Sequence, residues 1–359
     1  MGQPTDTVVP VAVFEHICQW LSDREKIADE PATRTQTHKG NDQTYLQLPS
    51  GDHTNAPLVE MPKMFGPNRQ LFGIVSIRQE DVKNPVHKRA FLFLNCGSEH
   101  HAGPHRMYTI LSRLCASFGY LSFRFDIEGI GDSFSAGNNA DNNSYSPVAL
   151  HDIEQALAFL AEEYGCTEFV LSGICAGAYH TFKATAEFSR FNIIDSNLIN
   201  PLVYEWNYDD PDDHLKFEAH TYRKSIRDSK NWRRLVSGDI NYRRLFRALK
   251  SYLVEFSARA ISRLAGFFRQ KPAAGLPHDM REIERLGRNL TLLLSEGDPG
   301  LDIMRLQARR ETALAIKRGK LSTYTLNGAN HGLSKKHMQD QLIQFFINKY
   351  GSKPSSSTN

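Results

Sequence analysis

Short apolar runs alternate with amphipathic stretches along most of the chain. The runs AFLFLN (90–95), GYLSFRFD (119–126), EFVLSG (168–173), NIIDSNLIN (192–200), LTLLLSEG (290–297) and STYTLNG (322–328) lack helical spacing, and most are bounded by Gly, Asn or Asp. Such runs predict buried strands. Between them, residues 106–117 and 147–165 carry helix-compatible apolar faces, the second closing on Gly165. Strands alternating with helices predict an α/β protein whose mostly parallel sheet is covered on both faces. Upstream, residues 58–79 read as two strands around the turn GPN at 66–68, residues 8–26 as an amphipathic helix, and residues 30–57 as a surface linker. The polar run GNNADNNS (137–144) reads as a flexible loop, and no internal repeat is visible.

The rhythm breaks between 203 and 286, where two long helical candidates, 216–236 and 242–269, replace the strands. This predicts an inserted helical cap and the organisation 1–57 (helix and linker), 58–202 (first part of the core), 203–286 (cap), 287–350 (second part of the core) and 351–359 (disordered tail). Charge sharpens the division. From Lys216 to Lys271 fifteen Lys and Arg face four Asp and Glu, a local +11 in a chain whose formal net charge is only +3. The cap is therefore expected to present a cationic surface to an anionic partner or group, or else to pair with the acidic remainder. The near-neutral whole argues against a chain built to hold nucleic acid. No apolar run approaches the roughly 20 residues of a spanning helix, and mean hydropathy is −0.44. The five cysteines, Cys18, Cys96, Cys115, Cys166 and Cys175, are scattered without a CxxC pair. That pattern fits a reducing compartment, and with no signal-like N-terminus the expectation is a soluble, cytoplasmic protein.

The sharpest chemical signal is Gly173-Ile174-Cys175-Ala176-Gly177, after the run EFVLS and before the helical AYHTFKATAEF. A nucleophile on a tight strand-to-helix turn needs small neighbours, because the backbone passes close to itself. The turn also sets the thiol at a helix N-terminus, whose dipole favours an anion. His331 lies in Asn330-His331-Gly332 past the last strand-like run, and Asp298 lies in SEGDPG past LTLLL. A His within reach of a thiol can share its proton, and a carboxylate on the far ring nitrogen fixes the tautomer. Glu296 and Asp302 flank Asp298 and remain alternatives for the acid. His100, His101 and His105 with Glu99 suggest a metal site, but Gly103-Pro104 breaks the helical spacing, so no metal is expected. No cofactor is expected. Asp126 and Asp132 read as structural turn residues, Cys96 as a small buried filler, and Arg106 as either an anion contact or a solvated side chain.

Nucleophile, acid and then His, each after a strand end, resembles the α/β-hydrolase superfamily. The motifs LNCGS (94–98), RFDIEGIGDS (124–133), GICAG (173–177), GDPG (297–300) and NH (330–331) carry the resemblance, which covers roughly 85–200 and 288–350. It implies the α/β-hydrolase fold with an inserted helical cap. It also implies Cys175 as nucleophile in an elbow formed with Gly173 and Gly177, His331 as its base, Asp298 as the orienting acid, and the backbone N–H groups of Ser98 and Ala176 as the oxyanion hole. The family's usual nucleophile is Ser. A Cys there is similar to dienelactone-hydrolase-like enzymes and carrier-protein acyltransferases of the same fold.

A Cys nucleophile forms a thioester intermediate, and exchange of that intermediate with another thiol is close to balanced in energy. An oxyester would have to be converted uphill. The expectation is therefore an enzyme that cleaves or transfers an acyl group from a thioester or ester through a covalent Cys intermediate. The acceptor would be water or a thiol, with a carrier protein or coenzyme A docking on the basic cap. Two other readings stand beside it: a non-catalytic binding protein using the cap, and a peripheral protein whose 242–269 helix lies on anionic lipid without an integral membrane segment.

Overall fold

The computed structural model describes residues 19, 46–48, 57–83, 86–135, 141–206 and 275–351. Two compact units divide the chain, Met1–Thr44 and Tyr45–Asn359, and the elements below belong to the second. The expected helix at 8–26 apart from Gln19, most of the linker, the two cap helices with their basic cluster, and the tail from 352 lie outside the described residues.

Six strands carry the apolar runs: β4 (Arg89–Leu94), β5 (Leu121–Phe125), β6 (Glu168–Ile174), β7 (Ile193–Ile199), β8 (Asn289–Ser295) and β9 (Leu321–Leu326). The interior ones are buried on both faces, which is why they show no alternation; β5 is buried at all five positions. Ahead of them come β1 (Leu46–Leu48), β2 (Leu58–Phe65) and β3 (Leu71–Arg78). β2 and β3 pair antiparallel from Leu58↔Arg78 to Phe65↔Leu71 around the expected turn. The nine strands form one sheet in the order β1-β2-β3-β5-β4-β6-β7-β8-β9. Every pairing from β5 to β9 is parallel, and β3 joins β5 antiparallel. An antiparallel edge leading into a parallel sheet, with β5 outside β4, is the α/β-hydrolase fold.

Helices α1 (Met107–Ser117), α2 (Ala149–Tyr164), α3 (Ala176–Glu187), α4 (Leu276–Arg285), α5 (Gly300–Gln307), α6 (Arg309–Lys317) and α7 (Lys336–Tyr350) flank the sheet. Gly165 ends α2 in the left-handed conformation that a helix C-terminus commonly requires. One apolar cluster packs α2 against β2–β6, a second packs α1 and α7 against the opposite face, and a third gathers α3–α6 on β7–β9. Among the described residues, no helix is long and apolar enough to cross a membrane.

Two boundaries and one loop differ from the sequence reading. Residues 46–48, expected in the linker, form β1 against Leu58–Glu60; three residues are too few to show alternation. Residues 276–286, expected in the cap, form the whole of α4 and its C-cap Leu286, which belong to the core. The apolar face of α4 is only Leu276, Met280 and Ile283 among charged neighbours, and that thin stripe joins the apolar cluster that includes Phe182 and Leu292. In the third case, residues 142–144 of the expected flexible loop are tied to two neighbouring segments: Ser98 Oγ donates to Asn142 O (2.6 Å), and His180 Nε2 donates to Ser144 O (2.9 Å).

A polar network missed by the sequence reading fixes the antiparallel edge. Glu60 on β2 accepts from Arg113 on α1 at 2.7 Å and from Arg124 on β5 at 3.1 Å, with Ser76, Ser112 and Ser122 bonded beside it. Burial disfavours the Glu60 carboxylate, but the Arg113 hydrogen bond and the two guanidinium charges outweigh it and hold the group below its usual 4.5. Removing one partner from a buried pair leaves the other charge uncompensated. Glu60→Ala is therefore expected to cost about 3 kcal/mol in urea unfolding at pH 7. In the native chain this stabilisation is present above pH 4.5 and is lost as pH falls below it.

Candidate active site

Cys175 stands between β6 and α3 with φ 58° and ψ −114°, a backbone conformation disfavoured for a residue with a Cβ. Its surroundings hold it there. Cys175 N–H donates to Ile199 O (2.9 Å), and its own carbonyl accepts from Ala178 N–H (3.1 Å) and Tyr179 N–H (3.3 Å). The preceding residue is fixed too, since Ile174 N–H donates to the buried Tyr108 hydroxyl at 2.8 Å. The need for glycine is steric. A Cβ on Gly173 would lie 2.2 Å from the Gly177 backbone, and one on Gly177 would lie 2.4 Å from Leu94 O. The elbow is thus pressed onto the end of β4, and the thiol is only partly buried.

His331, in the turn after β9, points Nδ1 at Asp298 Oδ2, 2.8 Å away. The Asp298 side chain is 3% exposed and that of His331 is 40% exposed. Nε2 is buried with no hydrogen bond of ordinary geometry, and the Cys175 sulfur lies within interaction range of the ring. Burial opposes a charged imidazole here. The hydrogen bond and charge of Asp298, with the interaction of the ring with the Cys175 sulfur, prevail and raise His331 from 6.5 to about 9. Of the three candidate acids, Asp298 alone meets the ring through a hydrogen bond. Glu296 accepts from Gly328 N–H (3.2 Å), and Asp302 lies exposed on α5.

Ala176 is the first residue of α3, so its N–H has no helical acceptor behind it. Ser98 is exposed, and its hydroxyl is committed to Asn142 O and to Ser144 Oγ (3.0 Å). Cys96, expected as a buried filler, is half-buried and close enough to Cys175 that the second thiol adds to burial in raising its pKa. The 142–145 loop brings Tyr145 onto Trp206, stacked at 4.0 Å and 8°, with Tyr179 of α3 edge-on at 5.4 Å. Neither this aromatic group nor Tyr108 stood out in the sequence, because Tyr108 and Tyr179 merge into helical apolar faces.

The histidine-rich turn is a hydrogen-bonded loop. Asp126, fully buried, accepts from Asn95 Nδ2 (2.9 Å), His101 Nδ1 (2.7 Å) and Asp132 N–H (3.0 Å), as the structural reading of Asp126 expects. His101, Asp126 and Asp132 bring ligand atoms within 4.8 Å of one another. The Asp126 oxygens are already satisfied, and the Asp132 side chain is 64% exposed.

The sequence matches no protein-family model, and it matches no curated protein sequence. Solved structures similar to the chain include a Pyrococcus furiosus esterase (12% identity, covering 85% of this chain and 90% of that one, TM-score 0.44). They also include the thioesterase domain from the curacin biosynthetic pathway (12% identity, 80% and 99%, TM-score 0.45). A third is a putative dienelactone hydrolase from Klebsiella pneumoniae (11% identity, 82% and 99%, TM-score 0.46).

Two expectations follow from this geometry. Gly177→Ala forces a Cβ against a backbone carbonyl and is expected to destabilise the protein by at least about 2 kcal/mol in urea unfolding. Asp298→Asn removes the carboxylate partner of His331, so an imidazole that titrates near 9 should move down toward 6.5 by histidine NMR. In the native chain the folded value lies above the free one. The ring's contribution to stability is therefore complete below pH 6.5 and lost as pH rises through about 9.

Proposed function

We propose that the chain is an acyl-transfer enzyme acting on a thioester or ester through a Cys175–His331–Asp298 triad. One observation carries this reading: a partly exposed thiol on a strained strand-to-helix turn lies within interaction range of an imidazole whose Nδ1 is hydrogen-bonded to a buried carboxylate. These are the three roles that nucleophilic acyl transfer needs.

In this mechanism His331 Nε2 takes the Cys175 proton and the thiolate attacks the substrate carbonyl carbon. Charge moves onto the carbonyl oxygen, where the N–H of Ala176 and an N–H of the loop after β4, assigned to Ser98, would bind it. Each such donor is worth on the order of 3 kcal/mol in the transition state. The C–O or C–S bond to the leaving group then breaks, and His331 returns the proton to that group. A water or a second thiol, deprotonated by His331, attacks the S-acyl intermediate and frees Cys175. Asp298 keeps Nδ1 protonated throughout, so that Nε2 is the nitrogen that exchanges the proton.

The basic stretch 216–271 supports a phosphate-bearing or acidic acyl donor, such as coenzyme A or an acyl carrier protein. Cys96, Cys115, Cys166 and Cys175 are unpaired, which supports a reducing, cytoplasmic setting.

Incubation with acyl-coenzyme A and activated esters, followed by intact mass and peptide mapping, should give an acyl adduct on Cys175. Cys175→Ala should abolish both adduct and turnover. Absence of an adduct with every thioester and ester tried would reject the reading. Because His331 must carry its proton to expel the leaving group, kcat/KM is expected to fall as pH rises through about 9.

A further inference from the structure

Asn200 directly follows β7 and is fully buried at φ 50°. Left-handed backbone suits Asn better than most residues, but conformation does not explain its bonding. Its amide makes three hydrogen bonds. Nδ2 donates to His331 O (2.7 Å) and to Ser295 Oγ (2.8 Å), and Oδ1 accepts Ser295 N–H (2.7 Å). Ser295, at the end of β8 and 3% exposed, passes its own hydroxyl proton to Asn330 O (2.8 Å). The carbonyls of Asn330 and His331 are both held by this pair. Ser295 O in turn accepts Asp298 N–H (2.9 Å), at the start of the loop that carries the acid.

The neighbour of Asn200 completes the arrangement. Ile199 O accepts the Cys175 N–H. Ile199, the last residue of β7, and Asn200 after it therefore hold the nucleophile through one backbone bond and the histidine loop through one side-chain bond. Two donors and an acceptor on one short side chain are what Asn supplies. Asp would set a carboxylate against the His331 carbonyl, and Ala would leave Ser295 N–H and His331 O buried without partners.

We infer that Asn200, with Ser295, is a positioning residue that sets the place of His331 relative to Cys175 and Asp298. This rests on the reading of Cys175 and His331 as nucleophile and base. The clip holds backbone only, so it fixes where the ring sits and leaves the imidazole nitrogens free for Asp298 and the thiol. A displacement of about 1 Å at a reacting group costs on the order of a hundredfold in rate.

The test compares full-length wild type, Asn200→Ala, Ser295→Ala and His331→Gln by two measurements. The ring 15N signals of His331, assigned by their loss in His331→Gln, read the Nδ1–Asp298 geometry whatever the enzyme acts on. Iodoacetamide alkylation of Cys175, followed by peptide mapping, reads coupling of the ring to the thiol. Asn200→Ala is expected to move the Nδ1 signal and slow alkylation by tenfold or more, toward the His331→Gln rate. Ser295→Ala should do so more weakly. A residue that merely stabilised the fold would lower the melting temperature and leave both readouts where they were. Unchanged His331 ring signals in folded variants overturn the inference. Should Asn200→Ala fail to fold, Ser295→Ala decides by the same signals, since it removes only a hydroxyl. If the signals move but wild-type Cys175 reacts no faster than in His331→Gln, the clip stands and the triad falls.

Discussion

The approach of Gly177 to the carbonyls of Leu94 and Asn95 governs the whole site. A helix that starts one residue after a strand must turn its backbone back over its own sheet, and here the turn is pressed against the end of β4. No side chain fits between them. The cost is borne at Cys175, whose φ of 58° persists because Ile199 O, Tyr108 and the first turn of α3 hold the backbone on every side. Strain of this kind lifts one side chain out of the packed interior while its neighbours stay within it. Once Cys175 is lifted, whatever approaches the thiol also meets the open N-terminus of α3.

The remaining groups converge because parallel strands place successive loops along one edge. β6, β8 and β9 end in the elbow, the Asp298 turn and the His331 turn, and β7 between β6 and β8 joins them through Ile199 and Asn200. Charge then refines what topology brings together. The Asp298 carboxylate is buried against the ring, so the His331 imidazole is drawn toward the charged form despite its own partial burial. The edge formed by β1 to β3 works by a separate charge cluster, Glu60 with Arg113 and Arg124, behind α1 and apart from this chemistry.

The sequence made the core strands and the elbow legible because both obey local rules. An apolar run bounded by Gly or Asn announces a buried strand, and GICAG after such a run announces a turn with no room for side chains. Asp298 was legible as a candidate beside Glu296 and Asp302, but a shift of two to four residues decides direction, and only the folded turn and the start of α5 supply it. What escaped were features whose signal is not local. β1 has three residues, and α4 buries only a narrow stripe between charged positions. Asn200 and Ser295 read as ordinary polar residues at strand ends until the strands are side by side. The buried Glu60 cluster draws its members from four elements, and no spacing along the chain relates them. The aromatic contact of Tyr145 with Trp206 likewise joins residues 61 positions apart.

Two histidines flank the elbow, and they answer acidity differently. His331 exchanges its proton near the upper end of the ordinary range. His180, sealed inside α3, is driven by burial down to about 4 and stays neutral above that, with Nε2–H fixed on Ser144 O. One imidazole, bonded to a carboxylate, holds a proton it can exchange, and the other is a silent latch on the 142–145 loop. The His331 ring can therefore gain or lose its proton without loosening the bond from His180 to Ser144, and a change of medium that recharges the first leaves the second intact.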